Sequence, residues 1–301
     1  MLKIQKYAAI DIGSNAVRLL ISNIIEQDDT KVVFKKNSLV RVPIRLGADV
    51  FLKGEISEYN QERMLDTMKA FSLLIKSHGV VRYKACATSA MREAANSAPL
   101  AEKVLESCGI HIEVIDGEEE AAIIAATDLQ SFINPNKTYL YVDVGGGSTE
   151  FSVIHNGDKK VSRSFKIGTV RLLNDIVKNE TWIELERWIK EHTSPYEKIA
   201  LIGSGGNINK IFKISGKDAG KPLTYFYLTS YYKMLQNYSY EERITKLNLN
   251  QDRADVIIPA TRIYLSAMKW SGAKDIYVPK IGLSDGIIKS MYFETVSSVT
   301  V

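Results

Sequence analysis

The chain has 301 residues, of which 45% are hydrophobic and 25% charged, a balance typical of an ordinary soluble globular protein. This composition excludes wholesale disorder, and no apolar run approaches the 18 residues that a membrane span requires. The net charge of +4 is too small to indicate a nucleic-acid partner. The first apolar run ends at Asp11, too early for a signal peptide, and the two cysteines, Cys86 and Cys108, lack metal-binding spacing. We therefore expect a reduced, cytoplasmic setting without a membrane partner.

The charge is distributed unevenly between the two halves of the chain. Residues 1–150 contain 17 basic and 20 acidic side chains, a net charge of −3, whereas residues 151–301 contain 22 and 15, a net charge of +7. A positive excess of this kind can attract a polyanion. It is equally compatible with a chance distribution of solvated surface charges.

The first 132 residues predict an initial run of strands followed by alternating helices and strands. Stretches rich in β-branched and aliphatic residues predict strands at 7–11, 17–25, 31–34, 38–46, 83–88 and 110–115. Apolar residues at helical spacing predict helices at 56–76, 99–108 and 118–132.

A similar order begins again after the turn Asn134-Pro135-Asn136, which predicts a boundary between domains at 1–133 and 134–284. The strands predicted in the second half are 138–143, 149–154, 159–165, 199–202 and 275–278. The helices predicted there are 168–178, 182–192, 206–214, 253–271, which we expect to bend near Pro259, and 283–293.

A short internal repeat links the two halves. The segments Asp11-Ile12-Gly13-Ser14-Asn15 and Asp143-Val144-Gly145-Gly146-Gly147 both follow an apolar strand, and each is followed by a second strand. Repetition of a strand, a glycine turn bearing an aspartate and another strand indicates a duplicated fold. Chance agreement over so short a string is the alternative.

The loop Gly145-Gly146-Gly147-Ser148 is suited to hold a phosphate, since glycine lets backbone N–H groups approach an anion. It precedes a strand instead of opening a helix, and no Gly-Lys-Ser/Thr follows, which disfavours both the P-loop and the dinucleotide-binding loop. An ordinary hairpin turn is the alternative, although such turns need only one or two glycines.

Carboxylates flank this loop at Asp143 and Glu150, and Asp11 would face them if the two halves pack pseudo-symmetrically. Carboxylates beside a bound phosphate require a cation between them, which predicts Mg²⁺ held by Asp143, Glu150 and Asp11. The alternative is that Asp11 and Asp143 cap their own turns.

Two further segments contain candidate catalytic groups. Asp116 and Glu119 have the spacing of a capping box at a helix N-terminus, whereas Glu120 lies about 100° further round the helix and is available as a general base. Arg92 follows a predicted strand, and arginine is a bidentate partner for phosphoryl oxygens. A lone arginine is more often a surface residue.

Taken together, these segments resemble the exopolyphosphatase/guanosine pentaphosphate phosphohydrolase family. The matching strings form an ordered set across nearly the whole chain: Ala9–Leu19, Arg45–Phe51, Ala87–Ala94, Gly117–Ala121, Val142–Glu150, Gly203–Asn207, Arg253–Ile257 and Gly282–Gly286. The set is more specific than any single motif within it.

The resemblance implies an α/β fold of duplicated actin-like ATPase (ribonuclease H-like) domains with an interdomain active-site cleft, and a last helix, about 285–301, packed on the first domain. It also implies release of terminal phosphate from inorganic polyphosphate or guanosine pentaphosphate, with Mg²⁺ as the activator. Glu120 matches the catalytic base, and Asp143 and Glu150 match residues that hold metal and water. The positions that match phosphate or substrate contacts are Ser14, Asn15, Arg18, Arg92, Gly145, Gly146, Gly147, Ser148, Gly205, Gly206 and Arg253.

Two departures affect the expected substrate. The chain ends near the close of the second predicted domain, without the helical region of longer members, and Ser284 stands where arginine is common in the family. We therefore expect an exopolyphosphatase acting on shorter chains, with guanosine pentaphosphate as the alternative substrate. The same motifs would also suit an ATP-dependent phosphotransferase or a non-catalytic sensor of polyphosphate or guanosine tetraphosphate. A homodimer is the default oligomer.

Overall fold

The computed structural model describes residues 2–27, 31–125, 127, 134 and 136–299. The chain forms two compact units, one made of Met1–Thr127 with Gly282–Val301 and the other of Asp128–Ile281. Each unit is built on one mixed β-sheet and has its own buried apolar core. No helix in the described part of the chain is both long and apolar enough to cross a membrane.

The first unit contains five strands and six helices among its described residues. The strands are β1 (Lys3–Ile12), β2 (Val17–Gln27), β3 (Lys31–Val42), β4 (Arg82–Ala87) and β5 (Ile112–Val114). The helices are α1 (Leu46–Lys53), α2 (Glu58–Ser77), α3 (Ser89–Glu93), α4 (Ser97–Cys108), α5 (Gly117–Ala125) and, from the C-terminal segment, α13 (Leu283–Val299). Helix α13 packs on β1, β2, β4 and α5.

The second unit contains six strands and seven helices among its described residues. The strands are β6 (Thr138–Val144), β7 (Thr149–His155), β8 (Asp158–Phe165), β9 (Ile199–Ser204), β10 (Leu223–Thr224) and β11 (Asp275–Tyr277). The helices are α6 (Thr169–Leu173), α7 (Asn179–Thr193), α8 (Gly206–Ile214), α9 (Tyr225–Asn237), α10 (Tyr240–Thr245), α11 (Gln251–Ala254) and α12 (Ile257–Ser271).

The two sheets repeat one topology. The first has the order β3-β2-β1-β4-β5 and the second the order β8-β7-β6-β9-β11, with β10 added beyond β11. In both, the first three strands of the unit are antiparallel neighbours and the later strands join in parallel. The central strands β1 and β6 are buried over most of their length, as strands covered on both faces should be. The predicted duplication of a strand-loop-strand plan is confirmed.

Two predictions for the first unit are wrong. Residues 31–34 and 38–46 were expected as separate strands, but Lys31–Val42 is one edge strand whose register shifts between Ile21 and Ser22 of its partner. A bulge of this kind twists an edge strand while preserving its pairing. The chain then enters helix α1 through Arg45, which adopts a left-handed conformation with φ of 65°. The expected strand end at residue 46 is therefore the first residue of a helix.

The predictions for the second unit err mainly in helices. Helix α12 begins two residues before Pro259, so this proline lies in the first turn, where its missing N–H costs nothing, and the expected bend is absent. The short helix α11 precedes it as a separate element. Helix α6 spans five residues instead of the expected eleven, and helices α9 and α10 were not predicted. Helix α5 was expected to continue to residue 132, which lies outside the described residues.

Candidate functional site

The loop that joins β1 to β2 is held from behind by the start of α1. The Gly47 amide donates a hydrogen bond to the Ser14 carbonyl at 2.8 Å, and the Arg45 amide donates to the Asn15 carbonyl at 3.1 Å. A Cβ on Gly47 would lie 2.9 Å from the Ser14 Cβ, so a larger residue would push helix and loop apart. Since the C=O and N–H of a trans peptide point in opposite directions, the N–H groups of Asn15 and Ala16 point away from α1.

At the level of this loop, one row of paired residues crosses the sheet of the first unit, in the order Glu113, Cys86, Asp11, Arg18 and Arg41. Asp11 is buried, and the distance between Arg18 Nη1 and Asp11 Oδ2 is 2.8 Å. One oxygen of Asp11 therefore already faces a cation of the chain, and the metal role predicted for Asp11 stays a prediction. Arg41, which the sequence did not single out, adds a second guanidinium beside Arg18.

Helix α3 is connected to both neighbouring segments of the first unit. The hydroxyls of Ser14 and Ser89 are 3.1 Å apart, which joins the β1–β2 loop to the first residue of α3. At the other end of α3, Arg92 Nη1 donates to the Ile115 carbonyl at 2.7 Å. Arg92 is thereby anchored just before the segment that leads into α5.

The N-terminus of α5 shows the predicted capping box. Asp116 Oδ1 accepts hydrogen bonds from the amides of Glu118 and Glu119, both at 2.8 Å, and Glu119 Oε2 accepts from the Asp116 amide at 3.0 Å. Glu120 takes no part in the cap through its carboxylate and is half-buried, whereas Glu118 is exposed. The first turn of α5 thus separates structural carboxylates from the candidate base.

In the second unit, the glycine loop between β6 and β7 is held by the first turn of α6 in a similar way. All three of its glycine carbonyls accept hydrogen bonds: Thr169 N to Gly145 O at 3.0 Å, Val170 N to Gly146 O at 2.8 Å and Arg171 Nε to Gly147 O at 2.8 Å. Every peptide is trans, so the N–H groups of residues 146–148 point away from α6. Successive N–H groups directed to one side form a concave site for an anion.

Gly168 makes this arrangement possible. A Cβ at this position would lie 2.3 Å from the Gly146 carbonyl oxygen and 2.5 Å from the Gly147 carbonyl carbon. The backbone of Gly168 is extended, with φ of −134° and ψ of 165°, a conformation open to any residue. Glycine is therefore required here for space and not for conformation.

A polar row crosses the second sheet at the level of the glycine loop, in the order Ser164, Glu150, Asp143 and Ser204. Glu150 is buried, and its Oε1 accepts from the hydroxyls of Ser148 at 2.6 Å and Ser164 at 3.0 Å. Asp143 is half-buried directly opposite Glu150 on the neighbouring strand. Two carboxylates facing each other would repel without a cation, so the predicted pairing of Asp143 with Glu150 has a geometric basis.

The two repeats therefore differ in charge at equivalent positions. Arg18 pairs with Asp11 on the neighbouring strand in the first unit, and Glu150 holds the same place opposite Asp143 in the second. The first unit offers guanidinium groups to an anion, whereas the second offers carboxylates to a cation.

A second glycine motif follows β9. Gly205 has φ of +111°, which favours glycine, and Gly206 begins α8. Arg253 lies on α11, where burial and then the charges of Arg253 and Lys213 lower the pKa of Lys210. Arg253 therefore belongs to a basic group in the second unit, close to α8.

The donor set of the second unit fits Mg²⁺ of one particular kind. Within the described ranges, no three His, Cys, Asp or Glu side chains converge into a complete metal cage. Asp143 and Glu150 supply two carboxylates, and Mg²⁺ is ordinarily bound by one or two carboxylates together with water and phosphate oxygens. The residues thus suit a cation shared with a phosphorylated substrate.

Duplicated sheets of this order, each with a tethered loop directing N–H groups to one side, define a phosphate-handling protein of the α/β class. Residues 23–294 match the model of the Ppx/GppA phosphatase family. The chain belongs to this family. A solved family member from Aquifex aeolicus is 26% identical, covers 97% of this chain and 99% of its own, and has a TM-score of 0.75. The predicted duplicated actin-like α/β fold is confirmed.

Named relatives point to several activities within the family. A bifunctional 3-dehydroquinate synthase/phosphatase from Fusobacterium nucleatum is 30% identical over 90% of this chain and 44% of its own length. A guanosine-5′-triphosphate,3′-diphosphate pyrophosphatase from Photobacterium profundum is 31% identical over 62% of this chain and 34% of its own. The exopolyphosphatase structure from Cytophaga hutchinsonii, 24% identical, covers 96% of this chain and 98% of its own with a TM-score of 0.81 and shows the fold alone. The chain spans less than half the length of the two named sequence relatives.

Sequence reasoning missed the residues that support these loops. Gly168, Arg171 and Gly47 hold the glycine loops, and Arg41 and Ser164 extend the polar rows. Each lies between 15 and 34 residues from the group it supports, as Ser164 does from Asp143 and Gly47 from Gly13. Only Gly47 and Gly168 gave a local signal, as isolated glycines before a helix.

Proposed function

We propose that the protein is a phosphoanhydride hydrolase that releases terminal orthophosphate from inorganic polyphosphate. The observation that carries the proposal is the tethered loop of residues 145–148, whose three glycine carbonyls are bound by α6 and Arg171. The N–H groups on the opposite side are fixed in advance to receive phosphoryl oxygens, so little reorganisation accompanies binding. The net charge of +7 over residues 151–301 supports a polyanionic substrate.

In the proposed reaction, the loop at 145–148 cradles the terminal phosphoryl group, and Arg92 and Arg18 contribute positive charge to its oxygens. Glu120 accepts a proton from the attacking water as general base. Asp143 and Glu150 would hold Mg²⁺, which when bound neutralises charge on phosphate oxygens. Ser148 and Ser164 orient Glu150 through the two hydrogen bonds to its Oε1. Oxygen of the released phosphate then comes from water, and the shortened chain keeps the bridging oxygen.

Guanosine pentaphosphate is the second candidate substrate. The Photobacterium profundum relative favours it, since that protein is named for a guanosine substrate and is 31% identical over 62% of this chain. Both substrates end in the same phosphoanhydride group, so the loop alone does not distinguish them.

The test is phosphate release by purified protein with Mg²⁺, offered polyphosphates of several lengths, guanosine pentaphosphate and ATP. We expect polyphosphate to give the highest kcat/KM. A preference for guanosine pentaphosphate would move the protein to the second candidate. Transfer from ATP to an acceptor without free phosphate would support a phosphotransferase, and tight binding without turnover would support a sensor.

The variant that tests the base is Glu120→Gln, with Glu118→Gln on the exposed side of the same helix turn as control. The amide keeps the shape of the side chain but accepts no proton, so we expect phosphate release to slow by at least about 10²-fold. Polyphosphate binding, measured by titration, should remain unchanged, and the control should behave as the unaltered protein. Full activity of Glu120→Gln would refute the assignment.

A further inference from the structure

A buried side chain of the second unit joins the ends of β6 and β9, and the proposed reaction makes no use of it. Tyr264 on α12 has no exposed surface, and its hydroxyl donates a hydrogen bond to the Ser204 carbonyl. The Val144 carbonyl is its second backbone partner. Val144 and Ser204 are the last residues of their strands, immediately before Gly145 and Gly205. One hydroxyl therefore lies at the point where both glycine segments begin.

The position of this hydroxyl is significant because the ladder between the strands ends here. The parallel pairing of β6 with β9 runs to Asp143 and Ser204, and Val144 lies beyond it. Past the last pair, the tyrosine hydroxyl is a bridge between the two departing backbones. Movement of either backbone would carry Asp143 with it, since Asp143 is the last paired residue of β6.

The space around the bridge is filled. A Cβ on Gly205 would lie 2.9 Å from the Val144 carbonyl oxygen, 3.3 Å from the Tyr264 hydroxyl and 3.4 Å from Asp143 Oδ1. The hydroxyl, the Gly205 backbone and the carboxylate oxygen therefore surround one small volume. Displacement of any one of them is felt by the others, because packed groups at these distances have no slack.

The hydroxyl is also a permanent donor. Burial, and then the negative charge of Asp143, raise the pKa of Tyr264 above its usual value. The group thus keeps its proton throughout the range in which the protein is folded. Its contribution to the site is a fixed hydrogen bond and not acid-base chemistry.

We propose that Tyr264 is a positioning residue, whose hydroxyl holds the end of β6 against β9 and so fixes the Asp143 carboxylate for binding of a divalent cation. The proposal rests on the proposed function in one respect, the assignment of Asp143 to the cation. Outer groups that orient a metal ligand commonly change metal affinity about 10- to 100-fold when removed. The effect should therefore appear in cation affinity more than in the stability of the fold.

The test is Tyr264→Phe, which keeps the buried ring and removes only the hydroxyl. Tyr231→Phe is the matched control, because Tyr231 is buried in the same core and its hydroxyl has no hydrogen-bond partner among the described residues. Mn²⁺ binding is titrated without substrate for both variants and the unaltered protein, below the melting temperature of each. The Mg²⁺ concentration that gives half-maximal phosphate release is then measured on polyphosphate.

We expect Tyr264→Phe to weaken Mn²⁺ binding about 10-fold and to raise the half-saturating Mg²⁺ concentration by a similar factor. The kcat at saturating Mg²⁺ and all properties of Tyr231→Phe should stay close to those of the unaltered protein. Unchanged Mn²⁺ affinity in Tyr264→Phe, with or without a lower melting temperature, would overturn the proposal, as would a failure of the unaltered protein to bind Mn²⁺. A loss of Mn²⁺ affinity with no phosphate release from any substrate would uphold the positioning role and refute the proposed hydrolase.

Discussion

Gly168 offers a sharp test of the tethered glycine loop, because a single methyl group there meets the loop backbone and little else. The Cβ of Gly168→Ala would lie 2.3 Å from the Gly146 carbonyl oxygen, whereas ordinary Cβ contacts begin at 3.0–3.4 Å. The extended backbone of Gly168 accepts alanine without strain, so the full effect of the substitution falls on this contact.

The size of the effect follows from the distance. Relief of the overlap requires the loop and the start of α6 to separate by about 1 Å, and a misplacement of about 1 Å can cost about 10²-fold in rate. Overpacking of this kind costs about 1–3 kcal/mol of folding free energy. The separation also stretches the bonds from Thr169 and Val170 to the loop carbonyls, 3.0 and 2.8 Å in length. We therefore expect a folded protein with a damaged phosphate site.

The assay pairs phosphate release from polyphosphate with the melting temperature. Gly282→Ala is the matched control, since a Cβ there has no neighbour within 4 Å and the residue does not have a positive φ. The control should keep its activity and its melting temperature. If Gly168→Ala retained full activity and full polyphosphate affinity, the loop would not be the phosphate site.

Two further predictions concern the first unit. Burial raises the pKa of Asp49, but hydrogen bonds from the Ser57 and Asn60 side chains and the Ser57 amide outweigh it, so the pKa lies below its usual value of 3.8. The stability that Asp49 contributes should be complete above pH 3.8 and decline as the pH falls below it. The stability gap between Asp49→Asn and the unaltered protein, followed by urea unfolding, should therefore narrow in acid; a gap independent of pH would contradict this. Burial also raises the pKa of the Cys86 thiol to about 12, so at pH 8 iodoacetamide should modify Cys108 first by mass spectrometry, and faster modification of Cys86 would be the contrary result.

The sequence was a good guide wherever local chemistry determines the structure. The glycine turns after β1 and β6, the capping box at Asp116 and the repeated order of strands all depend on residues close together in the chain. These features place the loops and the candidate base at the ends of strands and helices. They account for most of the residues selected for the site.

The remaining features depend on contacts between distant residues. The bulge that keeps β3 continuous is a matter of register with β2, and composition alone split this strand in two. The left-handed Arg45 that redirects the chain into α1 is held by its amide bond to Asn15, 30 residues earlier in the chain. Helix α9 is rich in aromatic residues, which favour strands as readily as helices, and tertiary packing decides between them. Tyr264 and Gly168 reach their partners only after the sheets have formed.

The central claim is attack by water on a terminal phosphoanhydride, and the most direct measurement follows the oxygen. Polyphosphate is incubated with the protein and Mg²⁺ in H₂¹⁸O, and released phosphate is analysed by mass spectrometry in parallel with Glu120→Gln. The account predicts one solvent oxygen in each released phosphate and slow release by the variant. Absence of phosphate release, or equal rates with and without the Glu120 carboxylate, would contradict it.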